Sequence, residues 1–131
     1  MSDMDLEARL EEIAERDERY SPQAYRFVFD ALDYVLLQLG RNRALPGERH
    51  VSVSQLLDGI RIYALERFGP LARLVFEYWG IYTTADFGEV VFNLVEGGLL
   101  NKQESDHKED FEDGFDFHET FEEGYVPEIP W

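Results

Sequence analysis

The chain has 131 residues, of which 28 are acidic and 12 are basic, and its formal net charge is −16. Hydrophobic residues make up 44% of the sequence, which suffices for a buried core, and the length suits a single domain. The absence of cysteine excludes disulfides, thiolate nucleophiles and cysteine-ligated zinc.

Charge and hydropathy also set expectations for location and partners. No apolar run approaches the ~20 residues that cross a bilayer. Residues 1–12 are acidic and amphipathic, unlike the basic and then apolar regions of a signal peptide. We therefore expect a cytoplasmic protein with no membrane partner. So negative a surface repels phosphates, which argues against direct binding of nucleic acid.

An amphipathic acidic helix is predicted within residues 1–19, ahead of a helical domain that spans residues 20–131. Leu6, Leu10 and Ile13 recur at helical spacing on one face of this segment, and the other positions are polar. A helix of this length is marginal in isolation, so we expect it to dock on the domain.

The second helix carries the clearest sequence signals. Ser21 is a good N-cap residue, and Pro22 suits the first helical position. Gly40 suits a left-handed position at the other end. Apolar residues recur between them with helical periodicity and extend beyond one face. The pattern predicts a central helix that packs on two sides.

A basic loop follows in the segment RNRALPGERH, residues 41–50. Its Pro-Gly pair is a turn signal. The simplest interpretations are a solvated loop or an internal partner for the acidic C-terminal segment. The functional alternative is a contact with an anion or a partner, and its candidate residues are Arg41, Arg43 and Arg49.

The third helix is predicted to run to about Phe68. The preceding HVSV, residues 50–53, is β-branched and is predicted as a brief strand. Ser52 and Gln55 have the spacing of a capping box, with Ser54 as a competing cap. Gly59 lowers helix propensity, which indicates a close approach of another helix.

Two shorter helices are predicted next. Gly69-Pro70 ends one helix and starts the fourth, about residues 70–79, which is predicted to bury Leu71, Leu74, Val75 and Tyr78. Thr83 caps the fifth helix, whose predicted buried face is Phe87, Val90, Val91, Leu94 and Val95. The predicted core of the domain is Val28, Leu32, Leu36, Leu57, Ile60, Ala64, Leu74, Val75, Val91 and Leu94.

The C-terminal segment, residues 102–131, has a net charge of −9, against −5 for residues 1–19 and −2 for residues 20–101. Its spaced aromatics suit either a strand or a helix, so the prediction is a short β-hairpin or an irregular segment. Such a composition suits a segment that docks in a basic, apolar groove, although it could equally fold back on its own basic loop. The candidate partner-binding residues here are Phe111, Phe115, Phe117 and Phe121.

The order of the fourth and fifth helices also suits a helix-turn-helix, with Gly98-Leu99-Leu100 leading into a possible wing. The chemistry opposes duplex binding, because no Lys or Arg lies between Arg73 and Lys102. A winged-helix-type regulator, acting on nucleic acid or on a nucleic-acid-binding protein, is therefore the alternative function.

Signals of catalysis are weak. The carboxylates of the second helix lie beside arginines, with Arg26 and Asp30 at i, i+4, which is typical of surface ion pairs. A calcium-loop template fails when it is aligned on Gly114. A small metal-dependent enzyme built around His107 or His118 is the second alternative. The sequence favours a non-enzymatic protein with no catalytic, metal or cofactor residues.

Three strings carry a family resemblance: LLDGIRIYALERFGPLARLVFEYWGI (56–81), TTADFGEVVFNLVEGGLL (83–100) and DFEDGFDF (110–117). They resemble a family of short acidic bacterial proteins of unknown function, associated with planctomycetes and verrucomicrobia. The likeness covers about Tyr25 to Phe121. It implies no catalytic or binding residue, because the family has no assigned activity. It does imply that the acidic, Phe-rich segment belongs to the folded domain.

The sequence therefore predicts one mainly α domain of about five helices, with a C-terminal β-hairpin or irregular segment and a winged-helix-like arrangement as a variant. The leading hypothesis for function is a non-enzymatic interaction module. Its acidic aromatic segment would contact a protein partner with a basic surface, or its own basic loop. Monomer and homodimer are both compatible with the sequence.

Overall fold

The computed structural model describes residues 3–40, 51–100 and 107–123. Five α-helices lie in these ranges: α1 (Asp3–Arg16), α2 (Pro22–Gln38), α3 (Val53–Phe68), α4 (Ala72–Tyr78) and α5 (Thr84–Glu96). A 3-10 turn, Gly69–Leu71, leads into α4, and further turns span Lys108–Phe111 and His118–Glu123. The mainly helical fold class is confirmed. Within the described part of the chain, none of the helices is long and apolar enough to span a membrane.

No strand occurs among the described residues. The brief strand predicted at residues 50–53 is wrong where it can be checked, because Val53 already begins α3. Residues 115–117, which have strand spacing, lie between two helical turns. The described part of the C-terminal segment therefore lends no support to a β-hairpin or to the wing of a winged-helix fold.

Helix α2 is central, as its broad apolar band predicts. It packs against α1, α3 and α5, and Tyr25 and Val28 are fully buried along it. Gly40 has a φ of +68°, the left-handed conformation predicted for the end of this helix. Ser21 occupies the N-cap position, but its side chain accepts no capping hydrogen bond. The boundaries of α2 therefore follow from backbone geometry at Pro22 and Gly40 more than from the serine.

The first helix docks on α2 through its predicted apolar face. Leu10 is completely buried, and Leu6 and Ile13 are nearly so. Beside this face, Arg9 Nη2 donates a 2.9 Å hydrogen bond to the carbonyl oxygen of Gly97, just after α5. The N-terminal helix is thus part of the core packing.

Helix α3 begins with the predicted capping box. Ser52 Oγ accepts from the Gln55 N–H at 3.1 Å, and Gln55 Oε1 accepts from the Ser52 N–H at 3.0 Å. Ser54 therefore lies inside the helix instead of capping it. The close approach predicted at Gly59 is also confirmed, because a methyl group there would overlap with Val35 of α2. Helices α2 and α3 form the most extensive helix pair.

The predicted buried face of α4 is wrong. Leu71, Leu74 and Tyr78 are exposed, and Val75 is only half-buried. The helix instead buries Ala72 and Phe76. Segment 71–79 carries two apolar stripes, and a seven-residue helix at the edge of the core buries only one of them.

Phe76 is the centre of an aromatic core. Its ring centroid lies 5.3 Å from Phe27 of α2, 5.2 Å from Phe87 of α5 and 5.5 Å from Phe121. Of the predicted core residues, Val28, Leu57, Ile60, Ala64 and Leu94 are buried, Leu32, Leu36, Val75 and Val91 are half-buried, and Leu74 is exposed. The aromatics carry more of the core than the aliphatic pattern indicated.

Candidate functional site

Three large apolar side chains are exposed along α4 and at Leu71, the last residue of the 3-10 turn before it. Leu71 is 58% exposed, Leu74 is 63% exposed and Tyr78 is 89% exposed. We call these three residues the α4 apolar face. Their spacing of i, i+3 and i+7 aligns them along one side of the helix, over about 10 Å at 1.5 Å per residue. Exposed apolar residues scattered singly are ordinary, but an aligned group of large ones is typical of a contact surface.

The position of this face follows from the packing of the opposite side. At about 100° per residue, Ala72 and Phe76 lie roughly opposite Leu74 and Tyr78 around the helix axis. Phe76 is fixed in the aromatic core, so the other stripe points away from it. The Gly69-Pro70 break sets this register, since Gly69 has a φ of +55° and the helix restarts after it.

The C-terminal residues 107–123 form a strap across the helices, and we use this name for them below. Phe111, Phe117 and Phe121 of the strap are buried, and Phe115 is half-buried. The rings of Phe117 and Phe121 stack near Phe76, with centroids at 5.6 Å and 5.5 Å. The strap is therefore an integral layer of the core.

Close contacts hold the strap against α5. Phe111 packs on Gly88, where a methyl group would lie 2.9 Å from Phe111 Cβ. The Gly114 N–H donates to Thr84 Oγ1 at 3.0 Å, and Thr84 is itself buried. Lys108 Nζ lies 3.3 Å from Glu89 Oε2. The missing side chain at residue 88 thus provides the groove that the strap fills.

The outer surface of the strap is acidic. All of its carboxylates with described side chains are exposed: Glu109, Asp110, Glu112, Asp113, Asp116, Glu119 and Glu122. Glu109, Glu112, Asp113 and Glu119 form no ion pair with another described residue, although Glu122 Oε1 lies 3.4 Å from Arg73 Nη1. Aromatic rings inside and carboxylates outside make the strap amphipathic although it has no regular helix.

The strap borders the α4 apolar face on one flank. Its last turn, His118–Glu123, packs against α4 and against the 3-10 turn before it. Arg73 joins the two elements, since it reaches Glu122 of the strap and Glu77 of α4. His118 Nδ1 lies 2.7 Å from Glu122 Oε2. An apolar face beside an exposed acidic edge is the most distinctive surface in the described part of the chain.

The predicted partner-binding residues have three outcomes. Phe111, Phe117 and Phe121 lie inside the fold, so a partner can contact them only if the strap detaches, whereas Phe115 is half-buried and keeps part of its ring accessible. Arg41, Arg43 and Arg49 lie outside the described residues, so the contact predicted between their loop and the acidic segment stays a prediction. The sequence interpretation missed the α4 apolar face, although the doubled apolar stripes of segment 71–79 were its signal.

A polar network that the sequence did not signal ties the α1–α2 linker to α5. Asp17 Oδ1 and Oδ2 accept from Arg19 at 2.9 Å and 2.6 Å, and Asn93 Nδ2 donates to Asp17 Oδ2 at 2.8 Å. Asn93 also contacts the Tyr25 hydroxyl at 3.0 Å. The hydrogen bonds from Arg19 hold the pKa of the Asp17 carboxyl well below its usual range. Each of these polar side chains has a hydrogen-bond partner within the protein, which is typical of a network that stabilises the fold.

A second group of hydrogen bonds joins the same linker to the start of α5. The Tyr20 hydroxyl donates to Asp86 Oδ1 at 2.6 Å, and Asp86 Oδ2 accepts from the N–H groups of Tyr82 and Thr83. Burial, reinforced by the Asp86 carboxylate, raises the pKa of the Tyr20 phenol. A phenol held neutral in this way serves as a fixed donor and not as a base.

The other titratable residues that the sequence singled out do not come together in one site. Arg26 pairs with Asp30 at 3.1 Å and with Glu7 of α1 at 2.9 Å, as a helix-surface ion pair does. Among the described residues, no three His, Asp or Glu side chains are grouped closely enough to hold a metal ion. His107 lies just before the first turn of the strap, and His118 begins the last one.

Comparisons with known proteins yield no relative. The chain matches no protein-family model, no curated protein and no solved structure. The resemblance to a family of short acidic bacterial proteins therefore stays a prediction.

Proposed function

We propose that this protein is a non-enzymatic interaction module that binds a protein partner with a basic surface. The observation that carries the proposal is the α4 apolar face, whose Leu74 and Tyr78 are 63% and 89% exposed beside the acidic outer surface of the strap. Exposed apolar side chains of this size favour a protein contact because burying each against a partner releases water from its surface.

The proposal revises the role expected of the C-terminal segment. The sequence suggested that the phenylalanines would contact a partner, whereas the rings of Phe111, Phe117 and Phe121 are buried in the core and that of Phe115 is half-buried. The segment retains its carboxylates for contact, and α4 supplies the apolar part. Electrostatic attraction by carboxylates mainly accelerates association and selects basic partners, while buried apolar contacts hold the complex.

In-cell photocrosslinking tests this function. A photoreactive phenylalanine analogue would replace Leu74 in one variant and Ile62 of α3, an exposed apolar residue 38% accessible, in a matched control. We expect a discrete crosslinked protein from position 74 in the native host, and no such product from position 62. Identical products from both positions, or none at 74 and at Tyr78, would refute the proposal.

The two alternative functions, a nucleic-acid-binding regulator and a metal-dependent enzyme, can each be tested directly. Helices α4 and α5 follow the order of a helix-turn-helix, but α5 presents Asp86, Glu89 and Glu96 and no cation, so a regulator that binds nucleic acid directly is not favoured. A gel shift at low salt with micromolar protein would detect direct binding. Metal analysis of the purified protein tests the metal-dependent enzyme.

A further inference from the structure

We propose that the partner docks on the α4 apolar face as a basic amphipathic helix, with its cationic side along the strap. This inference rests on the proposed function and adds the conformation, the charge and the orientation of what is bound. It follows from the shape of the face, from the charge beside it and from the repulsion that this charge would exert on a second copy.

The shape of the face suits a helix. Leu71, Leu74 and Tyr78 follow one side of α4 and of the turn before it, by their spacing of i, i+3 and i+7, with exposed fractions of 58%, 63% and 89%. A row of this kind on a helix presents ridges between which the side chains of a second helix pack. Peptides recognised in this way carry anchors at i, i+3, i+4 and i+7. The row spans about 10 Å, which two turns of a partner helix cover.

The charge beside the face selects cations on one flank. Glu119 lies in the last turn of the strap, is exposed and forms no ion pair with another described residue. Arg73, which links α4 to this edge, is engaged by Glu77 and Glu122. Lys or Arg along the strap side of a docked helix therefore meets carboxylates, whereas acidic residues there would be repelled.

The same charge disfavours a second copy of this chain. A symmetric contact through two α4 apolar faces with the helices antiparallel would bring two straps together, and each strap has a net charge of −7 over residues 107–123. Like charges at this proximity oppose association most strongly at low salt, when screening is weakest. A partner of opposite charge removes this penalty.

The experiment uses the full chain and two synthetic helical peptides of about 18 residues. Both carry leucines at i, i+3, i+4 and i+7; one has lysines along a single flank, and the other has glutamates at those positions. Binding is followed by fluorescence anisotropy of the labelled peptide. We expect one-to-one binding of the lysine peptide, and binding of the glutamate peptide at least about tenfold weaker.

Matched variants locate the site. Leu74→Ser should weaken binding of the lysine peptide at least about tenfold, and Ile62→Ser should leave it unchanged. Glu119→Gln should weaken it about threefold and reduce its salt dependence, while Glu109→Gln, in the turn that packs on α5, should have little effect. Circular dichroism checks that each variant is folded, and Tyr78→Ser is the second apolar variant.

Several outcomes would overturn the inference. Equal affinity for the two peptides, or an affinity unaffected by Leu74→Ser and Tyr78→Ser, refutes helix docking on this face. A dimer that Leu74→Ser dissociates identifies a second copy as the occupant. Binding at least tenfold tighter after removal of residues 124–131 identifies that segment as the occupant. Crosslinking at position 74 without peptide binding would leave the interaction function intact and refute only the basic helix.

Discussion

Removal of the Phe111 ring should reveal how much of the stability depends on the strap. Phe111 is 1% exposed and packs on Gly88, which has no side chain that could relax into the vacated space. Phe→Ala substitutions in cores cost about 3–5 kcal/mol, and a cavity that cannot collapse favours the upper part of that range. We therefore expect Phe111→Ala to lose about 4 kcal/mol of the free energy of unfolding. Phe115→Ala, in a half-buried position of the same strap, should lose only about 1 kcal/mol.

Urea unfolding, followed by far-UV circular dichroism and tryptophan fluorescence, measures this difference. With a slope of about 2 kcal/mol per molar urea, the midpoint should fall by about 2 M for Phe111→Ala and by about 0.5 M for Phe115→Ala. The two transitions should keep the same slope, because both variants retain the folded state. If Phe111→Ala costs no more than Phe115→Ala, the strap is not a layer of the cooperative core, and the reasoning about its phenylalanines is wrong.

Further predictions concern the caps, the close approach and the network. Ser52→Ala should lower the free energy of unfolding by about 1 kcal/mol, because it breaks a formed capping box. Ser21→Ala should change it by less than about 0.5 kcal/mol, because Ser21 Oγ forms no capping hydrogen bond. Urea titrations of the two variants compare these values, and equal losses would contradict the prediction. Gly59→Ala should lose about 1 kcal/mol, since overlap with the Val35 side chain outweighs the gain in helix propensity, and adding Val35→Ala should recover part of that loss. Asp17→Asn should make the free energy of unfolding less dependent on pH. The pKa of Asp17 in the folded state lies below its unfolded value near 3.8. The stabilisation that the Asp17 carboxylate provides is therefore complete above about pH 5 and is lost progressively as the pH falls below about 4. Thermal melts from pH 6 to pH 3 test this, and parallel pH profiles for parent and variant would exclude the Asp17–Arg19 pair as the cause.

Local signals predicted the helices well. The Pro22 start, the left-handed Gly40 and the Ser52–Gln55 capping box each act within one helical turn, so the sequence alone reveals them. Gly59 was equally informative, because glycine inside a helix has few reasons other than a close approach. These features account for both ends of α2, the start of α3 and the contact between the two helices.

Local signals could not predict which of two apolar helix faces is buried in the core. Both stripes of α4 are apolar, and only the position of Phe76 among the rings of α2, α5 and the strap decides which one is buried. The Asp17–Asn93 contact joins residues 76 positions apart, and no local pattern encodes it. The candidate site was missed for the same reason, because it consists of what remains exposed after the long-range packing is complete.

The contact between Arg9 of α1 and the Gly97 carbonyl oxygen has a consequence for the order of folding during synthesis. At a translation rate of about 5–20 residues per second, the ribosome releases α1 on the order of ten seconds before the end of α5. Fourteen residues form a marginal helix alone, but α2, on which α1 docks, follows it directly in the chain, so these two helices can pair before α5 is complete. The hydrogen bond from Arg9 to Gly97 is therefore the later step, formed when the end of α5 reaches a helix pair that is already in place.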